Sequence, residues 1–319
     1  MKPMLRLMPF FLLAPMAWAA DSMQAVVLND GKLTVQTLPI PEPQSGQVRI
    51  RVRAASVNPV DWKLAERAAP GAHSIPGRDL AGIIDAVGPD AGHWHAGDEV
   101  IAVAAGGSYT EYALASVKAV APKPARLSFA EAAGTPVVGE TAWRAMVVVA
   151  NVQPGQRVLI EGGAGGVGSS AVQIAKARGA YVIATASPTH DALLRSLGAD
   201  QVIDYHDAHA EDGLHNLDVV LNTVDADTGS RAMSRLRPGG ILVSVVGVPP
   251  AAPCAAAQIR CAITGSVTGE YLSALSALAA QGKFHVHIER RLPLAQAAAA
   301  WSLNRAGHTA GKIILEVSH

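Results

Sequence analysis

The amino-acid sequence predicts an α/β protein made of a compact β domain and a doubly wound parallel sheet. Short strands punctuated by glycine and proline fill the segment from about residue 24 to residue 120, which is typical of a small β domain. Strands and helices then alternate over residues 158–246, which favours a parallel sheet with helices on both faces. The length of 319 residues suits two domains better than one.

A glycine-rich loop opens the alternating part and is its most informative motif. The apolar run at 158–160 is typical of a buried strand, and residues 169–177 have helical spacing. Between them, Gly163, Gly165 and Gly168 satisfy the pattern G-x-G-x-x-G. Such glycines permit a tight turn, close approach of the backbone to a pyrophosphate, and packing of helix on strand. We therefore expect the whole loop to contact a dinucleotide, through Gly163, Ala164, Gly165, Gly166, Val167 and Gly168.

Hydrophobic periodicity predicts the individual elements. In the β domain the predicted strands include 24–28, 33–37 and 47–55, followed by helices at 129–133 and 141–150. In the alternating part the further predicted strands are 181–185, 201–204, 217–221, 240–246 and 263–267, and the predicted helices are 190–197, 228–236 and 271–280. The tail, residues 284–317, is predicted to form a strand, a helix at 294–303 and a strand, and we place it in the first domain.

Composition excludes some classes of partner. The chain has 26 basic and 26 acidic side chains, a formal net charge of zero, and only 4% aromatic residues. Nucleic-acid-binding proteins normally carry a basic face and aromatic groups for base stacking, so we expect no nucleic-acid partner. Two cysteines, Cys254 and Cys261, are too few for a four-cysteine zinc site or a disulfide framework. We expect free thiols, with pairing under oxidising conditions as the alternative.

Residues 1–22 have the layout of a secretory signal peptide. Two basic residues precede an apolar run at 7–18, and the sequence AWA at 17–19 offers an A-x-A cleavage site. The run is short for a membrane span, so we expect no span in the mature chain. The alternative is a cytoplasmic protein that starts at Met23, where the strand-like sequence begins. The pattern favours export to the periplasm.

Seven stretches then occur in the order typical of one family. They are AASVNPVDWK (54–63), PGRDLAGIIDAVG (76–88), GDEVIA (97–102), GGAGGVG (162–168), LGADQVIDY (197–205), LRPGGILV (236–243) and GKIILEV (311–317). Together they resemble the medium-chain dehydrogenase/reductase superfamily, in its zinc-independent, quinone-reductase-like branch. The resemblance implies a GroES-like catalytic domain (23–134 with 284–319), a Rossmann NADP-binding domain (135–283) and a cleft between them. It also implies a homodimer joined through the edge strand at 263–267.

The same resemblance bears on metal binding. Zinc alcohol dehydrogenases use a cysteine and a histidine of the first domain as catalytic ligands, and this chain has Asn58 and Arg78 in those positions. An amide and a guanidinium are not zinc ligands at neutral pH. Two histidine pairs, in HWH at 93–95 and HVH at 285–287, lack an evident third ligand. We therefore expect no metal.

The end of the second strand of the alternating part indicates NADP(H). NAD-specific proteins place Asp or Glu there to bind the ribose 2′-hydroxyl, whereas this chain has Ser187 and no acid before Asp191. By resemblance, His190 replaces a lysine of NADPH-binding members and Tyr205 matches a tyrosine after the third strand; the neutral imidazole implies modest discrimination against NADH. The alternatives are helix capping by Ser187 and packing by Tyr205. The remaining expected cofactor contacts are Thr141, Val246 and Lys312.

The resemblance also implies candidate catalytic residues. Asn58, Asp61 and Lys63 should line the cleft near the nicotinamide, with Asn58 donating to a carbonyl oxygen of the substrate. The structural alternatives are a turn at Asn58 with Asp61 as a helix cap, and an ion pair of Arg78 with Asp79. The expected function is zinc-independent, NADPH-dependent reduction of small-molecule quinones or other α,β-unsaturated carbonyls by hydride transfer. The alternatives are an enoyl-thioester reductase and a non-catalytic nucleotide-binding protein that retains the fold.

Overall fold

The computed structural model describes residues 21–69, 71–307 and 309–318. The predicted signal peptide therefore lies outside the described residues, apart from its last two. Within the described part of the chain, no helix is long and apolar enough to cross a membrane.

The first part of the chain forms a β domain. Its strands are β1 (Ser22–Asn29), β2 (Lys32–Pro39), β3 (Gln47–Val57), β4 (His73–Ser74), β5 (Asp79–Val87), β6 (Glu99–Val103), β7 (Tyr112–Ser116) and β8 (Val120–Pro122). Strand β1 pairs with β2 and β4, while β3 pairs antiparallel with both β5 and β7. Apolar residues of β3 are buried and its arginines are partly or fully exposed, because one face of this strand covers a core. Helix α1 (Pro59–Glu66) follows β3.

Two helices lead from the β domain to the second domain, α2 (Phe129–Ala133) and α3 (Pro136–Trp143). Helix α2 has the predicted bounds, and Ser128 and Glu131 form a capping box at its start. Helix α3 begins earlier than predicted, because Pro136 is suited to a first helical position. The chain then continues as a π-helix over Arg144–Val149.

The second domain contains a six-stranded parallel sheet. Its strands are β9 (Arg157–Glu161), β10 (Tyr181–Ala186), β11 (Gln201–Asp204), β12 (Leu217–Asn222), β13 (Leu236–Ser244) and β14 (Arg260–Ile263). Their order across the sheet is β11-β10-β9-β12-β13-β14, which is the doubly wound order 3-2-1-4-5-6 of dinucleotide-binding domains. The predicted fold class is confirmed.

Helices cover both faces of this sheet. They are α4 (Gly166–Ala177), α5 (Asp191–Ser196), α6 (Ala226–Ala232), α7 (Ala251–Ala256) and α8 (Leu272–Ala280). Val158 and Ile160 of β9 belong to one hydrophobic core, whereas Leu159 belongs to another. Burial on both faces explains why this strand is a continuous apolar run in the sequence.

The tail returns to the sheet of the first domain. It forms β15 (Ile288–Pro293), α9 (Ala297–Arg305) and β16 (Lys312–Glu316). Strand β16 pairs antiparallel with β3, where Ile313 lies opposite Val57. Just before β16, the N–H of Gly311 donates to the carbonyl of Ala164 in the glycine loop at 2.8 Å. The tail therefore joins the first domain directly to the glycine loop.

The predicted strand at 263–267 is wrong. The last strand of the parallel sheet is Arg260–Ile263, and the chain leaves the sheet after it. Side chains of other elements form hydrogen bonds with the backbone of this segment and of the residues after it. Arg144 donates to the carbonyl of Thr264 at 2.7 Å, and the carboxylate of Glu140 accepts from the N–H of Gly269 at 2.6 Å. We call residues 264–271 the anchored segment.

The expectation of two free thiols is also wrong. Cys254 on α7 and Cys261 on β14 form a disulfide, with their Cα atoms 6.1 Å apart, within the usual range. The sequence did not predict α7, so it gave no reason to place the two sulfur atoms side by side.

Candidate active site

The glycine loop joins β9 to α4 at the carboxyl edge of the parallel sheet. At Gly168 a Cβ would lie 2.2 Å from the carbonyl oxygen of Gly162, and at Gly163 it would lie 2.8 Å from the Cβ of Ala184 on β10. Neither position has room for a side chain. At Gly165 the nearest atom to such a Cβ would be the carbonyl oxygen of Gly162 at 3.5 Å, so a small side chain would meet no clash there. These are the separate roles that a dinucleotide-binding loop requires of its glycines.

The start of α4 provides donors for an anion. The helix begins at Gly166, and its N-cap residue, Gly165, has no side chain to bond the first backbone N–H groups. Those groups and the positive end of the helix dipole favour a phosphate. The N–H groups of Gly163 and Gly165 donate to the carbonyls of Thr185 and Gly162. The described residues therefore fit a dinucleotide whose pyrophosphate would be held by the N–H groups at the start of α4, residues 166–168.

The predicted 2′-phosphate residues lie beyond the ends of β10 and β11. Ser187 follows β10, makes no side-chain cap bond, and has its hydroxyl 2.8 Å from that of Thr189. The N–H of Tyr205 donates to the carbonyl of Ala186, and the Tyr205 side chain is 55% exposed. His190 ends the short 3-10 turn after Ser187 and is partly exposed. The three groups thus share one edge of the sheet and are accessible to a ligand.

A buried carboxyl group at this edge, Glu161, was missed by the sequence analysis. Glu161 is the last residue of β9, is 3% exposed, and accepts a hydrogen bond from the hydroxyl of Thr185 on β10 at 2.8 Å. The same hydroxyl accepts from the N–H of Gly162 at 3.0 Å. Burial raises the pKa of Glu161 to about 7. A glutamate that ends an apolar run gives no periodic signal, and only strand pairing brings it to Thr185.

A buried polar network lies where β3, α1 and β5 meet. At its centre the carboxylate of Asp79, which is fully buried, accepts from the hydroxyl of Ser56 at 2.8 Å and from the amide of Asn58 at 2.9 Å. Its other oxygen accepts from the N–H of Val137, in the first turn of α3, at 2.9 Å. Burial raises the pKa of Asp79, and these donors oppose that rise. The network therefore ties the first domain to the helix that leads to the second.

Lys312 supplies the positive charge of this network. Its ammonium donates to the side-chain oxygen of Asn58 at 2.5 Å and to the carbonyl of Val57 at 2.7 Å, and lies 4.0 Å from the carboxylate of Asp79. Burial lowers the pKa of Lys312, and the charge of Asp79 opposes this. The stem of Lys312 passes the glycine loop, since a Cβ at Gly166 would lie 3.0 Å from its Cδ.

Asp61 belongs to a second set of buried groups. It accepts from the N–H of Asn58 at 2.9 Å, as a helix-capping residue of α1, and from the hydroxyl of Tyr109 at 2.8 Å. The indole N–H of Trp301 in turn donates to the Tyr109 oxygen at 3.2 Å. Burial raises the pKa of Asp61 to about 7. The capping alternative therefore describes what Asp61 does in the fold.

The predicted catalytic residues do not share one surface. Asn58 and Asp61 are buried, and the amide of Asn58 has partners at both ends, whereas Lys63 is exposed on α1. Two of the predicted cofactor contacts lie elsewhere in the second domain. The hydroxyl of Thr141 donates to the backbone carbonyl one helical turn earlier at 2.7 Å, and Val246 is exposed just beyond the end of β13.

Arg78 lies beside the network but points away from it. Its Nη2 donates to the carbonyl of Val267 in the anchored segment at 2.8 Å. Among the described side chains Arg78 forms no ion pair with Asp79, whose charged neighbour is Lys312. The alternative interpretation, an ion pair of Arg78 with Asp79, is therefore wrong. Across the described ranges, no group of three His, Cys, Asp or Glu side chains is placed to hold a metal ion.

Two family profiles match the chain. The profile of alcohol dehydrogenase GroES-like domains matches residues 44–125, and the profile of zinc-binding dehydrogenases matches residues 197–315. The first match falls in the β domain, and the second runs from the parallel sheet into the tail. The expected GroES-like domain is confirmed.

Known proteins resemble the chain over most of its length. The chloroplastic quinone-oxidoreductase QR1 of Triphysaria versicolor is 33% identical over an alignment of 306 positions that covers 88% of this chain and 92% of that protein. The chloroplastic NADPH-dependent alkenal/one oxidoreductase of Arabidopsis thaliana is 34% identical over an alignment of 295 positions that covers 86% of this chain and 73% of that protein. The solved quinone oxidoreductase from Coxiella burnetii has a TM-score of 0.83 at 32% identity, over 93% of this chain and all of that one. The chain therefore belongs to the medium-chain dehydrogenase/reductase superfamily and is an oxidoreductase with quinone oxidoreductase-like relatives.

Proposed function

We propose that this protein is a zinc-independent, NADPH-dependent reductase of quinones and other α,β-unsaturated carbonyls. The observation that carries the proposal is the glycine loop, which leads into the uncapped start of α4 at the carboxyl edge of a sheet with the order 3-2-1-4-5-6, where dinucleotides bind. Relatives named for quinone and alkenal reduction support the acceptor class.

The preference for NADPH follows from the groups at the ends of β10 and β11. Ser187, His190 and Tyr205 offer a hydroxyl, an imidazole and a phenol to a 2′-phosphate, and β10 itself ends without an acid. Glu161 lies beneath this edge with a raised pKa, so a 2′-phosphate meets less negative charge there than an ordinary glutamate would impose. We expect NADPH to be preferred over NADH, though not strictly.

The bound cofactor would supply the hydride, and the protein would supply position and electrostatics. In this proposal the backbone of the glycine loop would hold the pyrophosphate, Thr141 would lie near the nicotinamide, and Val246 would be a further contact of the cofactor. Asn58 and Asp61 would support the site without contacting the substrate, because both side chains are buried and hydrogen-bonded within the protein. Lys312 holds the loop against the first domain through its contacts with Asn58 and Gly166.

The test is steady-state reduction of a panel of acceptors. The purified protein is supplied with NADPH and then NADH, against a benzoquinone, a naphthoquinone, an alkenal, an enone, an enoyl-coenzyme A and a saturated ketone. The proposal predicts turnover of the quinones or enones with NADPH and no turnover of the saturated ketone. Turnover of the thioester alone would make the protein an enoyl-thioester reductase. Binding of NADPH without turnover of any acceptor would favour a non-catalytic role.

We further propose that the protein is exported to an oxidising compartment. The disulfide between Cys254 and Cys261 supports this, because disulfides persist in oxidising compartments and are rare in the cytosol. It agrees with the signal-peptide layout of residues 1–22. Fractionation of cells that express the full chain, with thiol labelling before and after reduction, tests it: a periplasmic, shortened product with blocked thiols is expected. A full-length cytoplasmic product with free thiols would contradict it.

We also propose a homodimer formed through strand β14, the last strand on one side of the parallel sheet. Ile263 at its end is 46% exposed, and an unpaired edge strand is suited to pairing with a second copy. Thr264 donates its N–H to Ser244 inside the sheet, and N–H directions alternate along a strand, so the N–H of Ile263 faces the open edge. Proline has no N–H to offer a partner strand, so Ile263→Pro should shift the mass measured by light scattering from dimer to monomer. A monomeric natural protein would overturn this proposal.

A further inference from the structure

Arg78 is turned toward the second domain. Successive residues of an extended chain point in opposite directions. Asp79 points into the buried network, and Arg78 points the other way and reaches the carbonyl of Val267. Val267 lies in the anchored segment, which leaves the parallel sheet at the carboxyl end of β14. Ligands of such sheets bind outside the carboxyl ends of the strands, so Arg78 reaches from the first domain to the edge at which cofactor and acceptor would meet.

The guanidinium of Arg78 makes one hydrogen bond and has further N–H groups that could donate to a ligand. Of its five N–H groups, one binds Val267, and its buried Nε has no partner among the described residues. Buried polar atoms almost always have a hydrogen-bond partner. The Nε–H of Arg78 has none among the described residues, so we expect its acceptor to come from a bound molecule. No described carboxylate lies within 4 Å of this side chain to neutralise its charge.

The other buried side-chain polar atoms without a hydrogen-bond partner lie in the same part of the first domain. Among the described side chains they are Oδ1 of Asp61 and Oγ of Ser108. Ser108 packs over Gly77, the residue before Arg78, where a Cβ would come within 2.4 Å of its oxygen. The next residue, Tyr109, donates to Asp61. Unsatisfied polar atoms are therefore concentrated around the turn that presents Arg78.

We propose that Arg78 is a substrate-binding residue whose free N–H groups bind the carbonyl oxygen of the acceptor and stabilise the negative charge that forms on it. The proposal deepens the function proposed above and rests on it. It replaces the expectation that Asn58 donates to that oxygen, because the amide of Asn58 is bonded to Asp79 and Lys312.

The charge arises from the reaction itself. When a hydride forms a C–H bond at the β carbon of an enone, the π electron pair of the double bond moves toward the carbonyl, and the oxygen becomes an enolate. A proton from water then completes the α C–H bond. With a quinone the same two electrons give a hydroquinone anion, which also takes a proton from water. A donor fixed beforehand at this oxygen lowers the barrier, since it need not reorganise as the charge forms.

The kinetic test compares Arg78→Met with Arg78→Lys and with a matched control, Arg144→Gln. Arg144 also holds a carbonyl of the anchored segment, that of Thr264, so the control reports what loosening of this segment does by itself. Loss of a donor to a developing oxyanion typically lowers kcat by about 10²- to 10³-fold. We expect that loss in Arg78→Met, a smaller one in Arg78→Lys, and an NADPH Kd within about twofold of the natural protein in both. Equal losses in Arg144→Gln, or a loss confined to NADPH binding, would overturn the proposal.

A second measurement does not depend on turnover. 2-Hydroxy-1,4-naphthoquinone is a coloured anion at neutral pH, so its Kd can be measured without cofactor by equilibrium dialysis read by its visible absorbance. We expect Arg78→Met to weaken this binding by about tenfold or more, the worth of one charge-assisted hydrogen bond, and Arg144→Gln to leave it unchanged. Equal binding by the natural protein and Arg78→Met would refute the role of Arg78. If the natural protein reduces no acceptor but Arg78→Met still weakens quinone binding, the reductase function would be refuted and the role of Arg78 in binding would stand.

Discussion

At the scale of single residues, the buried ammonium of Lys312 connects the two domains. It lies among Asn58, Val57 and Asp79 of the first domain, while its stem lies against Gly166 of the glycine loop. A lysine is almost never buried unless it is paired. From the sequence we expected Lys312 to contact the cofactor. Its ammonium instead faces inward, which the sequence could not predict because its partners lie more than 230 residues earlier in the chain.

Removing this ammonium should destabilise the fold. Lys312→Met leaves Asp79 buried without its cation, which typically costs about 3 to 5 kcal/mol. Denaturant unfolding measures the loss. The control is Lys176→Met, which removes a half-exposed partner of Asp200 and should cost less than about 1 kcal/mol. Similar losses in the two variants would contradict the assignment of Lys312 to a buried ion pair.

Glu161 should make stability depend on pH. Its pKa rises from 4.5 to about 7 on folding, so the folded state holds this proton more tightly than the unfolded state does. The resulting stabilisation is complete below about pH 4.5 and is lost as the pH rises through about 7, with an upper size of about 3 kcal/mol. Glu161→Gln cannot ionise. Its Tm should therefore fall less than that of the natural protein between pH 5 and pH 8, and parallel Tm profiles would contradict the raised pKa.

At the scale of elements, the sequence predicted most strands. It did not predict where side chains from distant elements bind the backbone and prevent a strand from forming. Strand β11 and helix α2 have the predicted bounds because their local patterns suffice. The strand at 263–267 failed because Arg78, Arg144 and Glu140 bind the backbone of the anchored segment. Those anchors come from distant parts of the chain, and no local pattern reports them.

The glycine loop allows stability and cofactor binding to be separated. Gly168→Ala places a Cβ 2.2 Å from a carbonyl oxygen and should cost about 1 to 3 kcal/mol through overpacking. Gly165→Ala meets nothing closer than 3.5 Å at a residue with negative φ. It should keep the Tm of the natural protein while weakening NADPH binding by about tenfold or more, because its methyl group blocks the approach of the pyrophosphate. Normal NADPH affinity in Gly165→Ala would place the pyrophosphate elsewhere.

At the scale of the whole molecule, the order of the parallel strands and the return of the tail determine where chemistry takes place. The sheet order puts the glycine loop, Ser187 and the exit of β14 at one edge. The tail then brings Gly311 to that edge through its bond to Ala164. The sequence predicted this architecture, since it follows from alternation and a family resemblance. It could not predict the direction of Arg78, which depends on how the two domains meet.

The most direct test is a titration of the purified protein with NADPH and with NADH, followed by nicotinamide fluorescence. We expect both to bind and NADPH to bind more tightly by about tenfold, roughly 1.4 kcal/mol, which is the contribution of one hydrogen bond to the 2′-phosphate. Tyr205→Phe, which removes an exposed hydroxyl at the proposed phosphate site, should reduce that ratio. Binding of neither nucleotide would contradict the central claim, and tighter binding of NADH would contradict the assignment of Ser187, His190 and Tyr205 to a 2′-phosphate.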